Sequence, residues 1–285
     1  MKLSNRALRA WTAACFLLAA GPAPAAEQAA EAFYEPMVGQ EGKDVVWVPT
    51  PQVLVEKMLD MARVTPKDFV MDLGSGDGRN VIAAAKRGAR ALGVEYNPDM
   101  VELSRRIAAK EGVSERARFV QGDMYEADVS KATVLALFLL TENLNKLVAK
   151  FLDMKPGSRI VVNGFEIDGW TADETGKAGG DCGSWCTAYL YIVPARVDGA
   201  WHLGNSELRL EQKFQQLTGT LTNGGAIAPI TFGRLRGDEI RFTVGGISYV
   251  GRVQGDTMRG EVKGSVAAAW IAVRKPQKVA EGAVQ

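Results

Sequence analysis

The run Phe69-Val70-Met71-Asp72-Leu73-Gly74-Ser75-Gly76-Asp77-Gly78-Arg79-Asn80 constrains this chain more than any other stretch. A short apolar segment, three glycines at alternate positions and a helix-compatible continuation predict a buried strand, a tight turn and a helix start. Gly74, Gly76 and Gly78 have no Cβ to hold a ligand away from the backbone, and the first N–H groups of the helix form a polar cradle. A nucleotide-like ligand suits it. A dinucleotide fingerprint needs G-x-G-x-x-G, whereas here the third glycine comes one residue early and Arg79 stands where that fingerprint has glycine. The next apolar run, Ala91-Leu92-Gly93-Val94-Glu95, ends on a carboxylate about 20 residues downstream, where it can accept hydrogen bonds from ribose hydroxyls.

Strand and helix signals alternate from there. Strands are predicted over 69–73, 90–95 and 116–121, with helices over 78–87 and 98–111. Asn97-Pro98 caps and opens the second helix. The apolar run 134–140 reads as a central strand, 142–154 as a helix stopped by Lys155-Pro156-Gly157, and 159–167 as a fifth strand. Such alternation implies parallel strands joined by right-handed crossovers, with ligands at the C-terminal strand ends, where Gly74, Glu95 and Asp123 fall. Upstream, Thr50 can cap and Pro51 can open a helix on which Leu54, Met58 and Met61 recur at helical spacing.

These signals, in this order, resemble the class I S-adenosylmethionine (SAM) methyltransferases. The segment Asp72 to Gly78 is similar to their motif I, Glu95 to their acidic motif II, and Gln121-Gly122-Asp123-Met124 to their motif III. The resemblance covers about 45–202. It implies a Rossmann-like α/β fold with a seven-stranded sheet, completed by strands over 187–194 and through Trp201 as its terminal antiparallel hairpin, and it leaves 168–183 as a polar, Gly-rich loop. It also implies SAM as cofactor, held by Asp72, Gly74, Ser75, Gly76, Gly78 and Glu95, with Asp123 accepting from the adenine amino group and Met124 against the adenine face. Pro49-Thr50-Pro51 resembles a segment of the archaeal protein-lysine methyltransferases and their mitochondrial relatives, where it sits beside the SAM pocket, which makes Thr50 a candidate site residue.

The acceptor side of such enzymes follows the fourth strand, here Phe138-Leu139-Leu140-Thr141-Glu142-Asn143. The resemblance gives Phe138 the role of a wall, and Glu142 or Asn143 that of orienting an amine. The relatives are expected to have Tyr at 138 and to place the asparagine differently. There is no Asn-Pro-Pro-Tyr of the amino-methylating nucleic-acid enzymes and no Pro-Cys for cytosine C5 attack. The reading is a SAM-dependent methyltransferase acting on a protein lysine or another amine. The rival is a non-catalytic envelope binding protein that keeps the fold.

Other features bound the partners. Lys2, Arg6 and Arg9, an apolar run from Trp11 to Ala20, and Ala23-Pro24-Ala25 form a signal-peptide pattern, too short to span a bilayer as a helix of about 20 residues. Export to the periplasm is expected, with 1–25 removed and 26–44 as a loose lead-in; the alternatives are an N-terminal anchor and a cytoplasmic protein. Without those three cations the balance is 34 − 3 = 31 Lys+Arg against 33 Asp+Glu, which is no nucleic-acid footprint. The single histidine, His202, argues against a His-rich metal site, and no metal is expected. Cys182 and Cys186 are expected to form a local disulfide in an oxidising compartment.

Beyond about 204 helical spacing disappears. Short alternating runs are separated by Asn223-Gly224-Gly225, Gly237-Asp238, Gly245-Gly246 and Gly255-Asp256, and two similar hexapeptides, 235–240 and 253–258, lie 18 residues apart. This predicts a smaller antiparallel β domain over 205–274, a sheet or partial barrel, after a methyltransferase domain over 45–204. Residues 275–285 read as a disordered tail.

Overall fold

The computed structural model describes residues 34–263 and 268–276. The signal-peptide pattern, the start of the lead-in and most of the tail lie outside the described residues.

Eleven elements build the first half: α1 (Gln52–Met61), β1 (Phe69–Leu73), α2 (Arg79–Lys86), β2 (Arg90–Glu95), α3 (Pro98–Lys110), β3 (Ala117–Gln121), β4 (Val134–Leu137), α4 (Thr141–Asp153), β5 (Arg159–Asn163), β6 (Glu174–Lys177) and β7 (Thr187–Ile192). They form a seven-stranded sheet in the order β3-β2-β1-β4-β5-β7-β6. β1 to β5 pair in parallel, while β7 runs antiparallel to β5 and β6 antiparallel to β7. The parallel strands are those the alternation predicts, and the whole is the Rossmann-like seven-stranded sheet that the resemblance implies.

The period-2 geometry of a strand divides its buried residues between two layers. Val70, Val134, Ala136 and Val161 join the core under α1, α2 and α3. Their neighbours Met71, Leu135, Leu137 and Val162 join the core under α4, with Leu144, Leu147 and Phe151. A sheet covered on both faces explains why β4 is apolar throughout.

The edge of the sheet differs from the expectation. The strand through Trp201 is not part of it; the seventh strand is β6, inside the stretch read as a loop. Its sequence, Glu-Thr-Gly-Lys, is polar and mostly exposed, so no alternation marks it. Gly176 lets it lie close to α1, since a Cβ there would come within 2.4 Å of the Met61 sulfur.

Trp201 belongs to the second half, a closed antiparallel barrel of β8 (Gly199–Leu203), β9 (Ser206–Lys213), β10 (Gln216–Asn223), β11 (Ala226–Arg236), β12 (Glu239–Val244), β13 (Ile247–Gln254), β14 (Thr257–Lys263) and β15 (Ala268–Arg274). The expected boundary at 204/205 therefore falls inside the turn of its first hairpin. β8 pairs with both β9 and β15, and this closure removes free edges. The repeated hexapeptides are equivalent turns, between β11 and β12 and between β13 and β14. Side chains fill the interior, among them Trp201, Leu208, Leu235, Ile240, Phe242 and Met258.

The halves meet at a seam. Trp170 stacks on Phe214 with centroids 5.0 Å apart, the Gln215 side chain donates to the Thr171 carbonyl, and Arg234 pairs with Asp173 at 3.0 Å.

Candidate functional site

The C-terminal ends of β1 to β4 open onto one cavity, covered by residues 40–50. Its floor is the glycine turn. The Gly74 and Ser75 amides donate to the Val94 carbonyl at 2.8 and 3.1 Å, locking the turn to β2. The Glu95 carboxylate accepts from the Gly76 amide at 2.8 Å and from the Asn97 amide at 2.9 Å. Gly76 has φ 55°, and a Cβ there would lie 2.6 Å from the Trp47 indole nitrogen. Trp47 thus covers the turn on the side where the resemblance places the ligand.

Gly78 does something else. It does not line the cavity, and a Cβ on it would sit 2.6 Å from the Phe119 ring, so its job is close packing of α2 against β3. The structure does not bring Gly78 to the cavity with Gly74 and Gly76.

Asp72 is buried beneath this floor. One of its oxygens accepts from Asn80 at 3.0 Å, while the other has no partner. Burial pushes its carboxyl well above the ordinary carboxylate range, against the Asn80 hydrogen bond and with help from the charges of Glu95 and Asp77. The buried Ser75 hydroxyl and the Asn80 carbonyl oxygen also lack partners. An ammonium group would satisfy Asp72, and Glu95 lies where ribose hydroxyls are expected. These orphaned atoms and the open glycine floor fit SAM.

Asp123 and Met124 line the opposite end. One Asp123 oxygen accepts from the Tyr125 amide at 2.8 Å, and the other is ion-paired with Lys43, which holds the carboxyl below its ordinary value. Lys43 lies 5.2 Å from the centroid of the Tyr96 ring. Thr50 is buried and on the cavity, but it does not cap α1; Pro51 occupies the N-cap position, and the Thr50 hydroxyl accepts from Asn163 at 3.3 Å. The Thr50 carbonyl accepts from Arg79 at 2.6 Å, tying the covering segment to α2.

The acceptor candidates divide. Phe138 lines the cavity. Glu142 and Asn143 do not: Glu142 is exposed in the first turn of α4, and the buried Asn143 amide donates to the Tyr125 hydroxyl at 2.8 Å. Burial of Leu144 and Leu147 turns Glu142 to solvent, while Asn143 is buried on the same face of α4 as they are and is engaged by Tyr125 beside the cavity. In their place the cavity holds Phe165 and Trp185, neither singled out by the sequence. Cys182 and Cys186 are disulfide-bonded around Trp185. The loop after Phe165 is fixed by Tyr191, whose oxygen accepts from the Ile167 amide at 3.1 Å and whose phenol burial pushes up to about 12.

Fold and site together define a class I SAM-dependent methyltransferase. Residues 72–174 match the family model described as the ANTKMT methyltransferase domain. A protein-lysine N-methyltransferase of Saccharolobus islandicus is 42% identical over 153 residues, 52% of this chain and 94% of that protein. The adenine nucleotide translocase lysine N-methyltransferase of Mus musculus is 35% identical over 118 residues, 41% of this chain and 51% of its own length. A solved RNA methyltransferase from Salinibacter ruber, in complex with S-adenosyl-L-homocysteine, is 40% identical over 53% of this chain and 96% of its own, with TM-score 0.49. The chain belongs to the family of the Saccharolobus enzyme.

Proposed function

We propose that the protein methylates the ε-amine of a protein lysine and that it works outside the cytoplasm. The observation that carries the lysine reading is the continuity of one cavity from the Asp72–Glu95 floor to a mouth walled by Phe138, Phe165 and Trp185. When bound, SAM supplies an electrophilic methyl group. Asp72 and Glu95 would hold its polar ends, and the glycine floor would let it lie flat. The aromatic mouth would admit a narrow alkylamine and strip its water, so that alignment and desolvation do most of the work. Relatives named as lysine methyltransferases support the acceptor class. The signal-peptide pattern and the Cys182–Cys186 bond support export, since such bonds persist in oxidising compartments.

The test is incubation of the purified protein with labelled SAM, envelope proteins of its host, the same proteins with lysines blocked, and total RNA. Label on proteins that disappears when lysines are blocked is the expected result. Label on RNA, or on the blocked proteins, would overturn the lysine reading. Intact mass of protein from the host tests export: the expected chain begins near Ala26 and carries the disulfide, whereas a full-length chain with two free thiols would overturn it.

A further inference from the structure

Phe138, Phe165 and Trp185 come from three separate places: the end of β4, the loop after β5 and the disulfide ring before β7. Their ring centroids lie 5.0 to 6.2 Å apart, with planes inclined at 28°, 66° and 41°. Phe138 and Phe165 are roughly stacked while Trp185 stands edge-on to Phe138 and tilted to Phe165, so the three make a wall with rings facing in more than one direction, and each remains partly exposed on the cavity. The cavity's two neighbouring cations, Lys43 and Arg79, are each already paired with a carboxylate. A wall of aromatic faces without a free cation suits a desolvated ammonium, because ring quadrupoles attract positive charge.

Trp185 is held from several sides. The disulfide closes a ring around it, and its amide donates to the Cys182 carbonyl at 2.9 Å. The indole fills the space left by the missing Cβ of Gly164, where a Cβ would come within 2.9 Å of it. It also lies beyond residue 174, where the matched family model ends, so that model assigns it nothing.

We propose that Phe138, Phe165 and Trp185 form a cage for the methylated ammonium of the acceptor lysine, and that the Cys182–Cys186 ring fixes Trp185 as the residue setting preference for the methylated cation. This rests on the lysine reading above. A cage of this kind keeps mono- and dimethyl-lysine in place between transfers, and so favours repeated methylation of one side chain.

The probes are Nα-acetyl-Nε-trimethyl-lysine amide and its uncharged isostere, in which carbon replaces the quaternary nitrogen. Their binding to the full protein saturated with S-adenosylhomocysteine is read by NMR titration. The cation should bind about tenfold more tightly than the isostere. Trp185→Ala and the double change Cys182→Ser with Cys186→Ser should bring the two probes within twofold of each other, while Trp185→Phe keeps most of the preference. An unchanged S-adenosylhomocysteine affinity in each variant shows that the fold survives. Equal binding of both probes by wild-type protein that still methylates lysine overturns the cage and leaves the lysine reading standing. A preference that persists in Trp185→Ala overturns the role of Trp185, and one that persists in the double serine variant overturns that of the ring. Failure of wild-type protein to label any lysine overturns the reading on which the cage rests.

Discussion

The glycine turn after β1 and the glycines inside the barrel of β8 to β15 serve opposite purposes. In the sheet, Gly74 and Gly76 have left-handed backbones at open strand ends and form the floor of a cavity. In the barrel, Gly219, Gly251 and Gly260 lie against neighbouring strands; a Cβ at Gly260 would sit 1.9 Å from the Val250 carbonyl oxygen. Buried polar groups divide the same way. Asp72, Ser75, Asn80, Asn143, Asn163 and Trp170 have unpartnered atoms in the sheet half, the first three on the cavity, whereas among the described residues the barrel contributes Gln215 alone, at the seam. Asp72, Ser75 and Asn80 leave three such atoms together on one cavity, and polar groups left incomplete side by side mark where a ligand completes the structure. The barrel is finished in itself; the sheet half is not.

The strongest way to break this contrast is Trp201→Ala. The indole is wholly buried in the barrel and donates to the Val197 carbonyl, so its loss should cost about 3–5 kcal/mol of stability. Calorimetry should show the melting drop while SAM affinity, measured well below the transition, stays within about twofold. A tenfold weaker affinity there would mean that the barrel shapes the site.

Glu95→Ala should act in reverse. Binding of SAM should weaken by about 1.5–3 kcal/mol, the scale of hydrogen bonds to a charged group, while the near-ultraviolet circular dichroism of the barrel tryptophans is unchanged. Wild-type affinity in this variant would remove Glu95 from the cofactor site.

Asp72→Asn sharpens the point, because its two effects have opposite signs. With the folded carboxyl pKa above the unfolded one, the native state binds more protons than the unfolded chain between the two values. Stability therefore falls as pH rises through that window, and the penalty is complete above it. Asparagine removes the charge, so the ligand-free variant should be more stable than wild type at pH 8 by about 1–3 kcal/mol, yet bind SAM less well. A less stable ligand-free variant would show that Asp72 serves the fold.

The smallest effect belongs to the seam. Phe214→Ala removes the stack on Trp170 and should lower stability by about 1 kcal/mol beyond the area it exposes, without separating the halves. Two melting transitions in place of one would mean that this stack is what couples them.

Much of the sheet was legible because its signals are local. Strand alternation, the Asn97-Pro98 start and the glycine turn act over a few residues, and they placed β1 to β5 and the helices between them within a few positions. Glu95, Asp123 and Met124 reach the cavity because strand ends on one side of a parallel sheet must converge, and Thr50 reaches it from the segment before α1. Tertiary structure decided the rest. β6 has no apolar pattern, since an exposed edge strand needs none, and Trp201 could be assigned to the barrel only through pairing with β9 and β15. Gly78 reads like Gly74 and Gly76 in the sequence, but only the position of Phe119 shows the close packing that its missing Cβ permits. Glu142 and Asn143 stand at the right distance after β4, yet the rotation of α4, set by where Leu144 and Leu147 bury, turns Glu142 to solvent and buries Asn143 against Tyr125. Phe165, Trp185 and Trp47 meet the cavity from segments far apart in the chain, and proximity of that kind follows from packing between elements, which no single segment encodes.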